Sequence, residues 1–255
     1  LYSYVDEIAY RSVDNSEEIQ FIISYVVKQL NKGFENDFYL DPNSKMTKLK
    51  TNEVIQQVAG DLFQKFGFEK TSMEEIARKA HKAKRSIYNH FNSKEALFVA
   101  NVQDELNAIR EHLQLIVDDN TQLVLPRLKQ YLLLRMELIA QTRTLRVAMK
   151  DNLYAEDSFR FEDLKEALQN FAQWEHNIFK KVWYAKPTED TAGAIEQQAV
   201  AFADMLQVTL NGLSHTFFTE DKFDQYKNSY EMLINIIVNS VFQSFAKAET
   251  LGQSV

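Results

Sequence analysis

The 255-residue chain contains no cysteine, six glycines, three prolines and no long apolar run. Without cysteine, disulfides, thiolate metal sites and cysteine nucleophiles are excluded. Glycine and proline together make up less than a third of the roughly 12% that average usage supplies, too few for the turns of a many-stranded β protein. The richest apolar stretch, Met232 to Val238, is short and contains Asn235. We therefore expect a mostly helical, soluble protein, and the missing cysteines and secretory leader favour the cytoplasm.

Motifs of the common enzyme classes are missing as well. The five histidines show no HExxH or other paired metal spacing, and there is no GxGxxG loop, Walker loop or GxSxG elbow. Glu175 and His176 are adjacent, but neighbouring residues on a helix point about 100° apart, which disfavours a joint catalytic role. We expect no enzymatic activity, no metal and no cofactor.

The net charge of -7 hides an uneven distribution along the chain. Residues 46–95 carry a net charge of +4, whereas residues 1–45 carry -4 and residues 96–255 carry -7. A short basic segment within an acidic protein is typical of a module that contacts a polyanion such as nucleic acid, although a charge of +4 alone says little.

Apolar residues recur with helical spacing along the chain, and no strand-like alternation stands out. Three short helices fit within residues 51–93. Beyond Ser93, breaks at cap and turn residues predict six longer helices, at residues 94–118, 121–141, 144–155, 158–184, 190–217 and 223–248. The predicted fold is all-α, with an N-terminal three-helix helix-turn-helix domain followed by a long-helix domain.

Two short, closely spaced helices lie within the basic segment. Thr71-Ser72-Met73-Glu74 fits a capping box in which Thr71 caps the first helix and Glu74 reaches back to it. That helix runs to about Ala80, and the second begins near Ala83, which indicates a helix-turn-helix. Groups suited to phosphate contact and major-groove reading occur on Lys82, Lys84, Arg85, Ser86, Tyr88, Asn89 and His90. A basic cluster alone is more often a solvated helix face.

The spacing of these residues resembles the DNA-binding signature of the TetR family of bacterial transcriptional repressors. The matching pattern is Thr71-x4-Ile76-Ala77-x2-Ala80 and then Ser86-x-Tyr88-x2-Phe91-x2-Lys94-x2-Leu97. The resemblance implies that Tyr88 and Lys94 contact phosphate and that Thr71 combines capping with a backbone contact. It implies base reading by Lys84, Arg85, Ser86, Asn89 and His90.

The resemblance covers about 50 residues and departs from the family at the turn. His81-Lys82-Ala83 stands where the family has Gly-Val-Ser, so His81 must hold a conformation that glycine adopts more easily. Under any function, Ile76, Ala77, Ile87, Phe91 and Leu97 are expected in the core.

Aromatic residues and methionines concentrate after residue 130. Most are expected to be packing residues, and some to line a pocket for a small apolar or aromatic effector. The candidate pocket residues are Tyr131, Arg135, Met149, Phe171, Trp174 and Asn177. The last two long helices are apolar over a broad arc, which favours a second interface. In the family these two helices pair across a two-fold axis, so we expect a homodimer.

The predicted domains are residues 1–45, 46–93 and 94–255, with the second binding operator DNA and the third binding the effector and dimerising. Residues 1–45 carry a helical stripe from Ile19 to Leu30 and a linker at Pro42, followed by Met46. They could be an added helix, which we favour, the last helix of a preceding repressor-like unit, or an artefact. The predicted function is a DNA-binding regulator, a repressor released by its effector. The alternative is a helical interaction or scaffold protein without specific DNA binding.

Overall fold

The computed structural model of the chain describes residues 50–119, 124–153, 161–183, 192–220 and 222–252. Within these ranges there is no β-strand, which confirms the all-α prediction. The helices are α1 Thr51–Phe66, α2 Met73–Lys79, α3 Lys84–Tyr88, α4 Lys94–Asp118, α5 Val124–Gln141, α6 Thr144–Lys150, α7 Glu162–Trp183, α8 Ala192–Thr219 and α9 Phe223–Gly252. None of the helices in this part of the chain is long and apolar enough to cross a membrane.

The helix boundaries follow the predicted breaks closely. Helix α4 begins and ends at the predicted residues. At its start, the Ser93 hydroxyl accepts the N–H of Ala96 and caps the helix. Helix α6 ends at Lys150, five residues earlier than predicted. The stripe from Ile19 to Leu30 lies outside the described residues, and the three predicted domain boundaries stay a prediction.

The predicted capping box before α2 is wrong by one residue. Ser72 caps the helix, since its side chain accepts the N–H of Glu75 at 3.2 Å. Thr71 is buried, and its hydroxyl donates to the carbonyl of Gly67 at 2.8 Å and of Leu62 at 3.3 Å. Thr71 therefore ties the loop to the end of α1, and the carboxylate of Glu74 is free to face another helix.

The turn after helix α2 contains His81, the residue for which the sequence predicts a conformation that glycine adopts more easily. His81 has φ of 52°, in the left-handed region, as predicted. The N–H of Lys82 donates to the carbonyl of Ala77 at 3.0 Å and that of His81 to Arg78 at 3.3 Å. These two bonds form a Schellman motif, in which glycine is usual at the position of His81. The motif stops α2 and turns the chain towards α3.

Contacts divide the described residues into two compact units. The first unit comprises residues 50–111, 139–153, 161–183, 192–220 and 222–225 and is built on an aromatic core. The ring centroids of Phe63 and Phe68 each lie 5.0 Å from that of Phe98, and Phe161 lies 5.0 Å from Phe68. Ile76, Ala77, Ile87 and Leu97 are buried as predicted, whereas Phe91 is only half-buried.

The second unit comprises residues 112–119, 124–138 and 226–252. Its core contains Leu113, Leu132, Met136 and Ile234, all fully buried. The phenol of Tyr230 on α9 donates to the carbonyl of Leu132 on α5 at 2.7 Å. This buried bond and the surrounding apolar side chains fix α9 against α5.

Candidate nucleic-acid interface

Helix α3 is held to the first unit by one side and exposes the other. Ile87 is fully buried, and the N–H groups of Ser86 and Ile87 donate to the carbonyl of Ala83 at the helix start. Because α3 has only five residues, its anchoring depends on this packing and on the turn at His81 more than on its own hydrogen bonds. The anchored side leaves the polar residues of α3 facing outwards.

The structure brings most of the predicted DNA-binding residues onto one exposed segment. The exposed residues are Lys82, Lys84, Arg85, Tyr88, Asn89 and His90, while Ser86 is half-buried. Within the described part of the chain, no hydrogen bond or ion pair involves the guanidinium of Arg85. A guanidinium with unused donors can bond guanine O6 and N7 bidentately, or a phosphate. We call the surface formed by residues 82–90 the basic face.

Lys84 differs from the rest of the basic face because it already has an acidic partner. Its ammonium forms an ion pair with the carboxylate of Glu74 on α2, and it lies 5.8 Å from the ring centroid of Tyr88. The hydrogen bond between them lowers the pKa of Glu74 and raises the pKa of Lys84. Sequence reasoning assigned Glu74 to the cap and missed this contact. No local pattern could show it, since the two residues are ten positions apart on different helices.

Lys94 does not face outwards as a free ammonium. Its Nζ donates to the carbonyls of Phe68 at 2.8 Å and Thr71 at 2.9 Å, with a longer contact of 3.5 Å to Glu69. The same ammonium lies 4.2 Å from the ring centroid of Phe68. These contacts use the donors of the ammonium to hold the loop between α1 and α2. The predicted phosphate contact of Lys94 therefore competes with a structural role.

Thr71, like Lys94, has its polar group engaged within the protein. With 2% of its surface exposed and its hydroxyl bonded to two carbonyls, its side chain presents nothing to a polyanion in this conformation. The accessible candidates therefore lie on the basic face, and Thr71 and Lys94 instead hold the α1–α2 loop in place.

The six candidate pocket residues are divided between the two units. Phe171 and Trp174 are neighbours on α7 of the first unit, with ring centroids 5.5 Å apart, and the guanidinium of Arg110 lies 5.4 Å from the Trp174 ring. Met149 is half-buried in the same unit, and Asn177 is exposed, accepting from Gln173 at 3.4 Å. Tyr131 and Arg135 are buried and belong to the second unit.

Helix α6 is fixed at its start by a carboxylate from α4. Glu105 accepts the N–H groups of Arg143 at 2.9 Å, Thr144 at 3.0 Å and Leu145 at 2.7 Å. Burial raises the pKa of Glu105, while the three N–H donors and the nearby guanidinium oppose that rise. The guanidinium of Arg143 also pairs with Asp61 on α1 at 2.6 Å. Sequence reasoning missed this junction, which joins residues 38 to 82 positions apart.

Groups of three or more His, Cys, Asp or Glu residues placed to bind a metal ion do not occur among the described residues.

A family model matches the helix-turn-helix part of the chain. Residues 55–100 match the family model described as bacterial regulatory proteins, tetR family. No curated protein gives a significant match.

Solved structures extend the likeness to most of the chain. The fatty acid degradation regulator FadR from Bacillus halodurans is 14% identical and has a TM-score of 0.56, over 77% of this chain and 96% of that one. FadR from Bacillus subtilis in complex with stearoyl-CoA is 14% identical, with a TM-score of 0.55 over 74% and 96%. A TetR transcriptional regulator from Legionella pneumophila is 18% identical, with a TM-score of 0.55 over 76% and 98%. Because these identities are below 20%, the likeness shows a shared fold and nothing more.

Proposed function

The chain belongs to the tetR family of bacterial regulatory proteins and is a DNA-binding transcriptional regulator, and we propose that it represses transcription by reading operator DNA with the basic face. The observation that carries the proposal is the anchored α3 helix, whose buried Ile87 turns Arg85, Asn89 and His90 outwards. The location that follows from this function is the bacterial cytoplasm, where the DNA lies, and the role is regulatory and not enzymatic.

Selection of bound sequences from random duplex DNA by the purified protein tests the proposal and yields the operator. Arg85→Ala should weaken binding to the selected site and flatten the preference among bases at one position, because a bidentate base contact discriminates by about 1–3 kcal/mol. Lys79→Ala is the matched control, since Lys79 is an exposed cation on α2 outside the basic face. If Arg85→Ala leaves the ranking of sequences unchanged, Arg85 anchors the protein without reading bases. Selection of no sequence at all would favour the scaffold alternative.

A large apolar effector is the second part of the proposal. It is supported by the aromatic pair of Phe171 and Trp174 next to Arg110, and by the stearoyl-CoA present in the structurally similar FadR from Bacillus subtilis. A long acyl chain is therefore the class to test first. Thermal shifts with acyl-CoA, against free CoA, should show stabilisation that Trp174→Ala removes. Asn170→Ala is the control on the same helix, because Asn170 is exposed and is not a candidate pocket residue. A ligand that stabilises the protein without changing its DNA affinity would argue against an effector role.

Helix α6 offers the route between the effector and the basic face. It contacts both α1 and α8, and the guanidinium of Arg146 lies 5.6 Å from the ring of Phe218 on α8. Immediately before α6, Arg143 pairs with Asp61 of α1. A shift of α8 on ligand binding would therefore move α1, which packs against the α2 helix of the helix-turn-helix.

Homodimerisation through α8 and α9 is the third part of the proposal. Each helix exposes large apolar side chains, Met205 and Val208 on α8 and Met232 and Ile236 on α9, with 55–67% of their surface accessible. Such side chains at helical spacing favour a protein contact over water. The domain division 46–93 and 94–255 follows from this assignment of roles, with residues 1–45 as an added helix.

A further inference from the structure

We propose that Glu74 determines how selectively the protein binds DNA, by holding Lys84 of the basic face in an internal ion pair that arbitrary DNA does not open and operator DNA does. The inference rests on DNA binding by the basic face and assigns a role to a residue outside it.

The geometry places the pair at the surface that DNA would approach. Glu74 lies in the first turn of α2 and Lys84 is the first residue of α3, so the pair spans the two helices of the helix-turn-helix. Both side chains remain more than half exposed, at 60% for Glu74 and 55% for Lys84. The ammonium of Lys84 also lies 5.8 Å from the centroid of the Tyr88 ring on α3.

The ion pair changes what Lys84 contributes to binding. A lysine that neutralises a phosphate releases about one condensed counterion, and this release supplies nearly all of the affinity for arbitrary DNA. An ammonium already neutralised by Glu74 gains little from a phosphate, and the carboxylate left behind would repel the backbone. Lys84 therefore adds little to binding on arbitrary sequences.

On operator DNA, Lys84 has a better alternative to its ion pair with Glu74. The first residues of a recognition helix point at base edges, and lysine can donate to guanine O6 and N7. The additional contacts made by Arg85 and its neighbours hold α3 in the groove, where Lys84 can exchange its partner. Specificity then arises because Glu74 weakens binding to arbitrary DNA more than binding to operator DNA.

Glu75 provides a matched control on the same helix turn. Its carboxylate lies 3.8 Å from the guanidinium of Arg78, a contact within α2 that does not involve α3. Glu75→Gln removes one negative charge from the neighbouring position of α2. Differences between Glu74→Gln and Glu75→Gln therefore report the contact with Lys84 and not the change in net charge.

The experiment measures affinity for a short duplex of arbitrary sequence over a series of salt concentrations, using the full chain. Glu74→Gln should bind several-fold more tightly, and its slope of log K against log [salt] should steepen by about 0.9. Adding Lys84→Met to Glu74→Gln should cancel both gains. Glu75→Gln should keep the wild-type slope, and any small gain in its affinity should survive Lys84→Met. On the sequence obtained by selection, Glu74→Gln should gain less, so that the ratio of specific to arbitrary affinity falls.

Four results would overturn the inference: an unchanged slope in Glu74→Gln, equal effects of Glu74→Gln and Glu75→Gln, a gain that persists without Lys84, or an equal gain on selected and arbitrary DNA. Thermal denaturation checks the folding of each variant, and we expect Glu74→Gln and Lys84→Met to fold normally because both side chains are more than half exposed. If the wild-type protein binds no duplex at any salt concentration, the proposed function itself fails.

Discussion

The contacts of Lys94 lead to a prediction that separates a structural lysine from a phosphate contact. Lys94→Met keeps the length and most of the apolar stem but removes the ammonium. The carbonyls of Phe68 and Thr71 then lose their donor in a loop that is partly shielded from water.

The expected cost can be estimated from those contacts. Hydrogen bonds to a charged group contribute about 1.5–3 kcal/mol each, and the half-buried position of Lys94 favours the lower value. Two short bonds then give about 3 kcal/mol, with a small addition from the ammonium over the Phe68 ring. For a domain of this size, about 3 kcal/mol lowers Tm by about 6–12 °C.

Thermal denaturation and DNA binding of the same variant distinguish the two roles. Lys70→Met is the control, because Lys70 is an exposed lysine of the same loop and has no described partner. Lys94→Met should lose stability well beyond Lys70→Met. If its Tm matches that of Lys70→Met and only the salt slope of DNA binding falls by about 0.9, the ammonium faces phosphate and the structural reasoning is wrong.

Four further predictions concern the turn, the α6 junction, the dimer and the N-terminal segment. His81→Gly should stabilise the protein by about 0.5–1 kcal/mol in urea denaturation, because relief of about 1–2 kcal/mol of left-handed strain exceeds the entropy cost of glycine; a loss of stability would refute the strain. Glu105 has a raised pKa in the folded state, so the free energy of unfolding should fall as the pH rises from the ordinary glutamate range through that raised pKa. Glu105→Gln should lack this pH dependence. The free energy of unfolding of the wild type minus that of Glu105→Gln should therefore fall from acidic to neutral pH, and an unchanged difference would contradict the reasoning. Met232→Asp with Ile236→Asp should shift sedimentation from dimer to monomer, whereas Asp224→Asn, at an exposed residue of α9 outside this apolar pair, should not; an unchanged dimer would place the interface elsewhere. Deleting residues 1–45 should lower Tm or alter the oligomeric state while keeping the selected DNA sequence, since their charge of -4 opposes DNA contact; a changed sequence preference would make them part of the DNA-reading surface.

Periodicity and cap residues in the sequence were sufficient to locate the helices. Helix α4 begins at Lys94 and ends at Asp118, as the stripe and the Asp118-Asp119-Asn120 break predict. The unusual residue at the turn was equally visible, because a histidine where the TetR-like pattern has glycine requires a left-handed conformation, which His81 adopts. These features depend on neighbours within a few positions, which is the range over which sequence patterns are informative.

Local patterns could not decide where the polar side chains go. Thr71 and Ser72 both fit a cap followed three residues later by a glutamate, and the backbone of the folded loop made Ser72 the cap and buried Thr71. The sequence alone determined an all-helical protein with a basic helix-turn-helix. Only the tertiary structure decided that Lys94 bonds the α1–α2 loop and that Glu74 pairs with Lys84. Those contacts join residues 10 to 26 positions apart on separate elements, and their geometry exists only once the aromatic core has packed the elements together.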